Sequence, residues 1–207
     1  MSHFELGKYA TKYVNLASPN NEYKSMTSKP SETSLSETTL IHLRPEPLTQ
    51  EAFAPFGQVI EADHDKSYLI NEGTTRRFHD LAQADVRDGE GEAILSIFRG
   101  TPRPLPIALS MMERHPLGAQ AFVPMQPASW LVVVCEDEIP TPAGCRAFMA
   151  SGSQGVQYAK NVWHHPLLVL APTQDFLIVD RKGPAGEGTA NLEEYWFDGT
   201  GAVLKIP

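Results

Sequence analysis

Glycine and proline punctuate almost every gap between the apolar runs of this chain. They stand at Gly100-Thr101-Pro102, Pro104-Leu105-Pro106, Pro140 to Gly144, Gly152 to Gly155 and Gly183-Pro184. Proline cannot continue a helix and glycine supplies turn conformations, so the elements between these marks must be short. The runs they bound are rich in β-branched or aromatic residues: Ala93 to Arg99, Ala119 to Val123, Ser129 to Cys135, Arg146 to Ala150 and Asp175 to Asp180. Ile107, Leu109 and Met111 alternate with smaller or polar neighbours, as a half-buried strand does. Many short strands without long helical periods between them predict an all-β sandwich or barrel and disfavour Rossmann and TIM architectures. The one helix expected is Gln50 to Phe56, with Thr49 capping its start and Gly57 taking a left-handed conformation at its end.

The chain has 207 residues, which suits one domain with an appendage. Residues 1–39 read as that appendage, a flexible arm. Ser25 to Thr39 is dominated by Ser, Thr, Glu, Pro and Lys and has little to bury against the entropy of ordering it. Residues 40–207 are then expected to form the folded domain, the part that carries any chemistry. The longest apolar run, Trp130 to Cys135, is far too short to span a membrane. A net charge of −8 argues against nucleic acid as a partner, because phosphate contacts need clustered Lys and Arg. Cys135 and Cys145 flank the loop EDEIPTPAG, can meet across a hairpin, and are expected as free thiols in a reducing cytosol. The opening MSHFELGKYA has no secretory pattern, which again points to the cytoplasm.

Nucleotide-binding glycine motifs, H-E-x-x-H, C-x-x-C and G-x-S-x-G are all absent, so no nucleotide cofactor is expected. What remains is polar residues in or beside apolar strands. In YLINEGTTRRFHDLA, an extended Arg77 to Leu81 would turn Arg77 and His79 to one inward face, able to hold a carboxylate and handle a proton; surface ion pairs are the plainer alternative. In MMERHPLGAQAFVPM, the parity of Ile107, Leu109 and Met111 carries Glu113 and His115 to the buried face. Pro116 and Gly118 then turn the chain so that Gln120 returns beside them. That group is a metal or acid/base site, or a hydrogen bond that only ties the hairpin. In YAKNVWHHPLLVLA, Pro166 holds His165 extended, so His164 and His165 project to opposite faces and one of them enters the interior. Asp175, Asp180 and Arg181 bracket FLIV and read as solvated strand-end charges.

The stretches INEGTTRRFHDLA, ERHPLGAQAFVPM, GVQYAKNVWHHPL and DFLIVDR resemble the ureidoglycolate lyase family, in family order and spacing over about Ile41 to Phe197. The resemblance implies a cupin-like β-barrel of jelly-roll type, paired as a homodimer. It implies an amidine-type carbon–nitrogen lyase that cleaves (S)-ureidoglycolate to glyoxylate and urea in allantoin and purine catabolism. It also implies a divalent metal, nickel or manganese, held by His115, Gln120 and one of His164 or His165, with His165 the expected ligand. Metal-free catalysis by the same groups is the alternative. For this reaction His115 is the expected base and His164 or His165 the acid. Arg77 and Lys160 are expected on the substrate carboxylate with His79 beside them, and Asn71 and Gln120 on the urea amide. The competing assignments are a metal-dependent cupin oxygenase or isomerase, and a non-catalytic cupin that binds a carboxylate or ureide.

Overall fold

The structure is a computed structural model that describes residues 40–197 and 201–206; the arm expected over residues 1–39 lies outside the described residues. In chain order the first strands are β1 (Ile41–Leu43), β2 (Glu46–Pro47), β3 (Gly57–Ile60), β4 (Ser67–Ile70), β5 (Thr75–Phe78) and β6 (Glu92–Gly100). Then come β7 (Ile107–Leu109), β8 (Met111–Arg114), β9 (Gln120–Pro124), β10 (Trp130–Cys135), β11 (Cys145–Ala150) and β12 (Gly155–Tyr158). The last are β13 (Trp163–His164), β14 (Leu168–Val169), β15 (Gln174–Lys182), β16 (Glu193–Trp196) and β17 (Ala202–Leu204). The domain is all-β, and among the described residues no helix is long and apolar enough to cross a membrane.

The single α-helix among the described residues, α1 (Gln50–Phe53), starts where expected: the Thr49 hydroxyl accepts from the Ala52 amide at 3.1 Å. It stops three residues short of the expected Phe56. Pro55 has no N–H to continue the ladder, and Phe56 closes a tight turn onto the Phe53 carbonyl at 2.9 Å instead. Gly57 has φ +145°, outside the left-handed helical region expected of it. A Cβ there would stand 1.9 Å from the Gln157 carbonyl oxygen, so its need for glycine is the close approach of β3 to β12.

Two sheets carry the fold. One runs β16-β8-β13-β10-β11-β2 with β14 also on β10; the other runs β3-β12-β9-β15-β6. Every residue of β10 is buried, and its alternation sorts them into two cores. Trp130, Val132 and Val134 pack between the sheets with Phe53, Phe122, Phe148, Tyr158 and Phe176. Leu131, Val133 and Cys135 face the other way, into an outer core with Ile107, Leu109, Met112, Trp163 and Leu204. A small sheet, β1-β17-β7, covers that outer side. Both main sheets are open, with no strand pairing among the described residues that joins them into one hydrogen-bonded barrel.

Three local expectations are corrected. First, the buried parity from Ile107 and Leu109 does not run straight through β8. Met112 joins Ile107 and Leu109 in the outer core, which turns Glu113 to the space between the sheets. Second, β8 and β9 are not a hairpin: β8 pairs with β13 and β16, while β9 pairs with β12 and β15. The Pro116–Gly118 link therefore crosses from one sheet to the facing one. Gly118 passes so near Arg181 that a Cβ would lie 2.6 Å from its side chain. Third, Arg77 to Leu81 is not one extended inward-facing run. β5 ends at Phe78, Asp80 has φ +54°, and β4 and β5 pair only with each other, leaving Arg77 and His79 exposed. Cys135 and Cys145 do meet across the β10–β11 hairpin, as buried free thiols.

Candidate active site

The register of the larger sheet sets His164 opposite Glu113 on one side and Val134 on the other. Met112 and Trp163 point into the outer core, so their neighbours Glu113 and His164 point between the sheets. On the facing sheet Gln120 pairs with Tyr158, and both share the inward parity of Phe122 and Val156. The two faces meet where the Tyr158 ring stacks on His164. His115, just past β8, brings its ring centroid 5.3 Å from that of His164. The ligand atoms of Glu113, His115 and His164 all lie within 4.8 Å of one another, with His164 Nε2 3.6 Å from Glu113 Oε1.

The tautomers follow from the partners. His115 Nδ1 donates to the Asn191 carbonyl at 2.8 Å and His164 Nδ1 to the Val162 carbonyl at 2.9 Å. A carbonyl oxygen only accepts, so in the neutral form of each ring Nδ1 carries the hydrogen and Nε2 presents its lone pair. Both Nε2 atoms are buried and, among the described residues, have no hydrogen-bond partner. Backbone carbonyls fixing one nitrogen while the other is left bare is how metal-ligating histidines are oriented.

Burial, helped by the nearby His115, pushes His164 down to about 3, so it stays neutral near pH 7. Burial likewise lowers His165 to about 4, with the Arg103 charge adding to it. Glu113 moves up, chiefly by burial and further by Glu194 and Asp180, against the pull of His115. Gln120 is buried, and its Nε2 donates to Asp180 Oδ2 at 3.1 Å while its Oε1 is buried without a partner among the described residues.

Of this group, Glu113 lines a cavity of about 800 Å³ whose walls also include Arg99, Arg103, Phe122, Pro166 and Leu167. Arg99 is engaged, its Nε and a terminal nitrogen bonding both oxygens of Asp175 at 2.7 and 2.8 Å.

The structure thus brings together His115 and His164, with Gln120 facing them from the opposite sheet. The expected ligand trio of His115, Gln120 and His165 differs from the gathered trio, because the register pairs Glu113 with His164 and leaves His165 out of that group. His165 is buried, with Nδ1 on its neighbour's Pro166 carbonyl at 2.8 Å and a bare Nε2. Lys160 is held by Asp85 at 2.9 Å and Asp88 at 2.8 Å beside a separate depression. Asn71, Arg77 and His79 sit exposed on or beside the β4–β5 ribbon, where His79 packs against Tyr68. None of these four lines the cavity that contains Glu113. Tyr158 and Arg103 escaped the sequence reading. The alternation of Val156 and Tyr158 signals the first; nothing periodic marks the second.

The model of the family described as ureidoglycolate lyase matches residues 40–204 of this chain. Curated relatives agree over the same region. Ureidoglycolate lyase 1 of Rhizobium meliloti (strain 1021) is 52% identical over 153 residues, 74% of this chain and 88% of the relative. Ureidoglycolate lyase of Rhizobium etli (strain CIAT 652) is 52% identical over 161 residues, 78% of this chain and 94% of the relative. Its namesake in Brucella anthropi is 53% identical over 155 residues, covering 75% and 89%.

Proposed function

Because the chain belongs to the ureidoglycolate lyase family, we propose that it cleaves (S)-ureidoglycolate to glyoxylate and urea, an amidine-type carbon–nitrogen lyase reaction of allantoin and purine catabolism. The observation that carries this reading is the convergence of Glu113 with the half-buried His115 and the buried His164, whose Nε2 atoms are buried and have no hydrogen-bond partner among the described residues.

The substrate carbon bears a hydroxyl, a carboxylate and a urea nitrogen. Cleavage removes the hydroxyl proton, makes a C=O bond, breaks the C–N bond and protonates the departing nitrogen. His115 Nε2 is the base, with its lone pair already directed by the Asn191 carbonyl. Glu113, raised by burial and lining the cavity, suits the acid that protonates the nitrogen. His164, pushed down to about 3, suits a lone-pair donor better than the acid expected from its sequence position. Gln120 presents Oε1 as an acceptor for a urea N–H.

Two imidazoles and a carboxylate within 4.8 Å of one another also fit a divalent first-row cation such as nickel or manganese. Glu113, His115 and His164 would hold it. Bound there, such an ion supplies Lewis acidity that stabilises the developing alkoxide in place of the His115 lone pair.

The two facing sheets are read here as a cupin-like jelly roll, with the site between its layers, working in the cytoplasm. A homodimer belongs to the same reading. It is supported by β6, an edge strand of nine residues on which Leu95 and Ile97 are 71% and 53% exposed.

The experiment is release of urea and glyoxylate from racemic ureidoglycolate, with and without EDTA, corrected for spontaneous decay. Matched release of both products from half the racemate is expected. No release above background, with nickel or manganese restored, sinks the lyase assignment.

A further inference from the structure

We propose that Arg103 binds the substrate carboxylate in the cavity that Glu113 also lines. The inference rests on the lyase reading above for the identity of the anion. Two arginines line this cavity, and they differ in what they already hold. Arg99 is neutralised by its two-point bond to Asp175. Arg103 is exposed and, among the described residues, has no carboxylate partner and no side-chain hydrogen bond.

Charge orders the substrate in this space. Glu113, the proton-bearing acid of the proposed reaction, offers a carboxylate no positive charge, whereas Arg103 on the same cavity wall does. The substrate carboxylate therefore pairs with Arg103, which leaves the hydroxyl and ureido groups of the same carbon free to face Glu113 and the histidines. A planar guanidinium matches a carboxylate with two parallel N–H donors. The backbone is also prepared: Pro102 and Pro104 flank Arg103, and a residue before proline is restricted to extended conformations. Less chain entropy is then lost when the arginine engages its ligand. The two cations expected in this role from the sequence are placed elsewhere, Lys160 between Asp85 and Asp88 and Arg77 on the exposed ribbon.

The test compares the full-length wild type with Arg103→Met, Arg103→Lys and Arg77→Met. It reads kcat and KM for ureidoglycolate, the calorimetric Kd for glyoxylate, and the melting temperature. Arg103→Met should raise both KM and the glyoxylate Kd roughly 10- to 100-fold, as losing a charged two-point hydrogen bond does. Its kcat should change less than about threefold, its melting temperature should hold, and Arg103→Lys should recover part of the loss. Arg77→Met should move none of these. Normal turnover with KM and Kd untouched in Arg103→Met overturns the assignment and leaves the lyase reading standing. So does a rise in KM from Arg77→Met in its place, or a wild type that binds no glyoxylate. A wild type that binds glyoxylate through Arg103 yet releases no urea discards the lyase reading and keeps the anion site.

Discussion

The ring of Tyr158 lies flat against the ring of His164, 4.0 Å between centroids and 10° from parallel. The two residues come from facing sheets, so this stack fixes the spacing between the layers at the point where the chemistry is proposed. It also clamps an imidazole that its own backbone holds only at Nδ1. Tyr158→Phe keeps the stack and should leave kcat within about threefold. Tyr158→Ala should cost about 3–5 kcal/mol of stability in urea titrations, as truncating a buried aromatic does. Equal damage from both substitutions would mean that the hydroxyl, not the stack, is what matters.

His115→Ala and Glu113→Gln should each lower kcat about a hundredfold or more, with circular dichroism unchanged, because proton-transfer groups typically contribute about 10² to 10⁴ each. A folded His115→Ala that loses less than tenfold removes His115 as the base.

If a divalent ion is bound, elemental analysis of protein purified without chelator should find close to one per chain. His164→Gln should lower that occupancy, since the amide is a poorer ligand than the imidazole. Unchanged loading in His164→Gln would place any ion at other residues.

Acid should weaken the metal-free protein in a defined window. His164 at about 3 and His165 at about 4 both lie below the ordinary histidine value near 6.5. Between those limits the unfolded chain binds protons that the folded one refuses. Stability is therefore complete above about pH 6.5 and is lost as pH falls toward 4 and then 3. Each histidine contributes a slope of up to about 1.4 kcal/mol per pH unit. Glu113, shifted upward, works the other way and costs stability as pH rises through its elevated value. Denaturant titrations at pH 7, 6 and 5 should show the fall; a flat profile contradicts it.

Gly57→Ala should be among the most damaging single-atom-scale changes available. Its backbone has φ +145°, and the added carbon would meet the Gln157 carbonyl at 1.9 Å. A loss of roughly 2–4 kcal/mol in denaturant midpoint experiments is expected.

Charges on the exposed face of β6 test the dimer. Leu95→Lys with Ile97→Lys should convert a dimeric elution profile to a monomeric one without unfolding the chain, since both side chains are already more than half exposed. A wild type that sediments as a monomer refutes the pairing at once.

Much of this architecture is legible in the sequence. The apolar runs around Leu95, Val132, Phe148 and Ile178 are strands because β-branched and aromatic residues recur between glycine and proline breaks, and that signal is local. His115 and His164 stand out in the sequence as candidates because imidazoles within apolar strands are costly unless used or satisfied. What was illegible is long-range. No local pattern says that Pro116 to Gly118 changes sheets, or that Met112 rather than Met111 continues the row of Ile107 and Leu109. Arg77 and His79 misled for a related reason: alternation defines two faces of a strand, and whether either one is covered depends on partners the ribbon does not have. Arg103 sits in a proline-flanked loop where side-chain direction has no period at all.

The double burial of β10 has a mechanical consequence. Val132 and Val133 are adjacent in sequence yet anchor different cores, so the strand cannot loosen on one side without exposing the other. The wall behind His164 and the outer layer over Trp163 should then come apart as one cooperative event. In amide hydrogen exchange the protons of β10 would trade with solvent only through global opening, at a rate that tracks the stability of the whole domain.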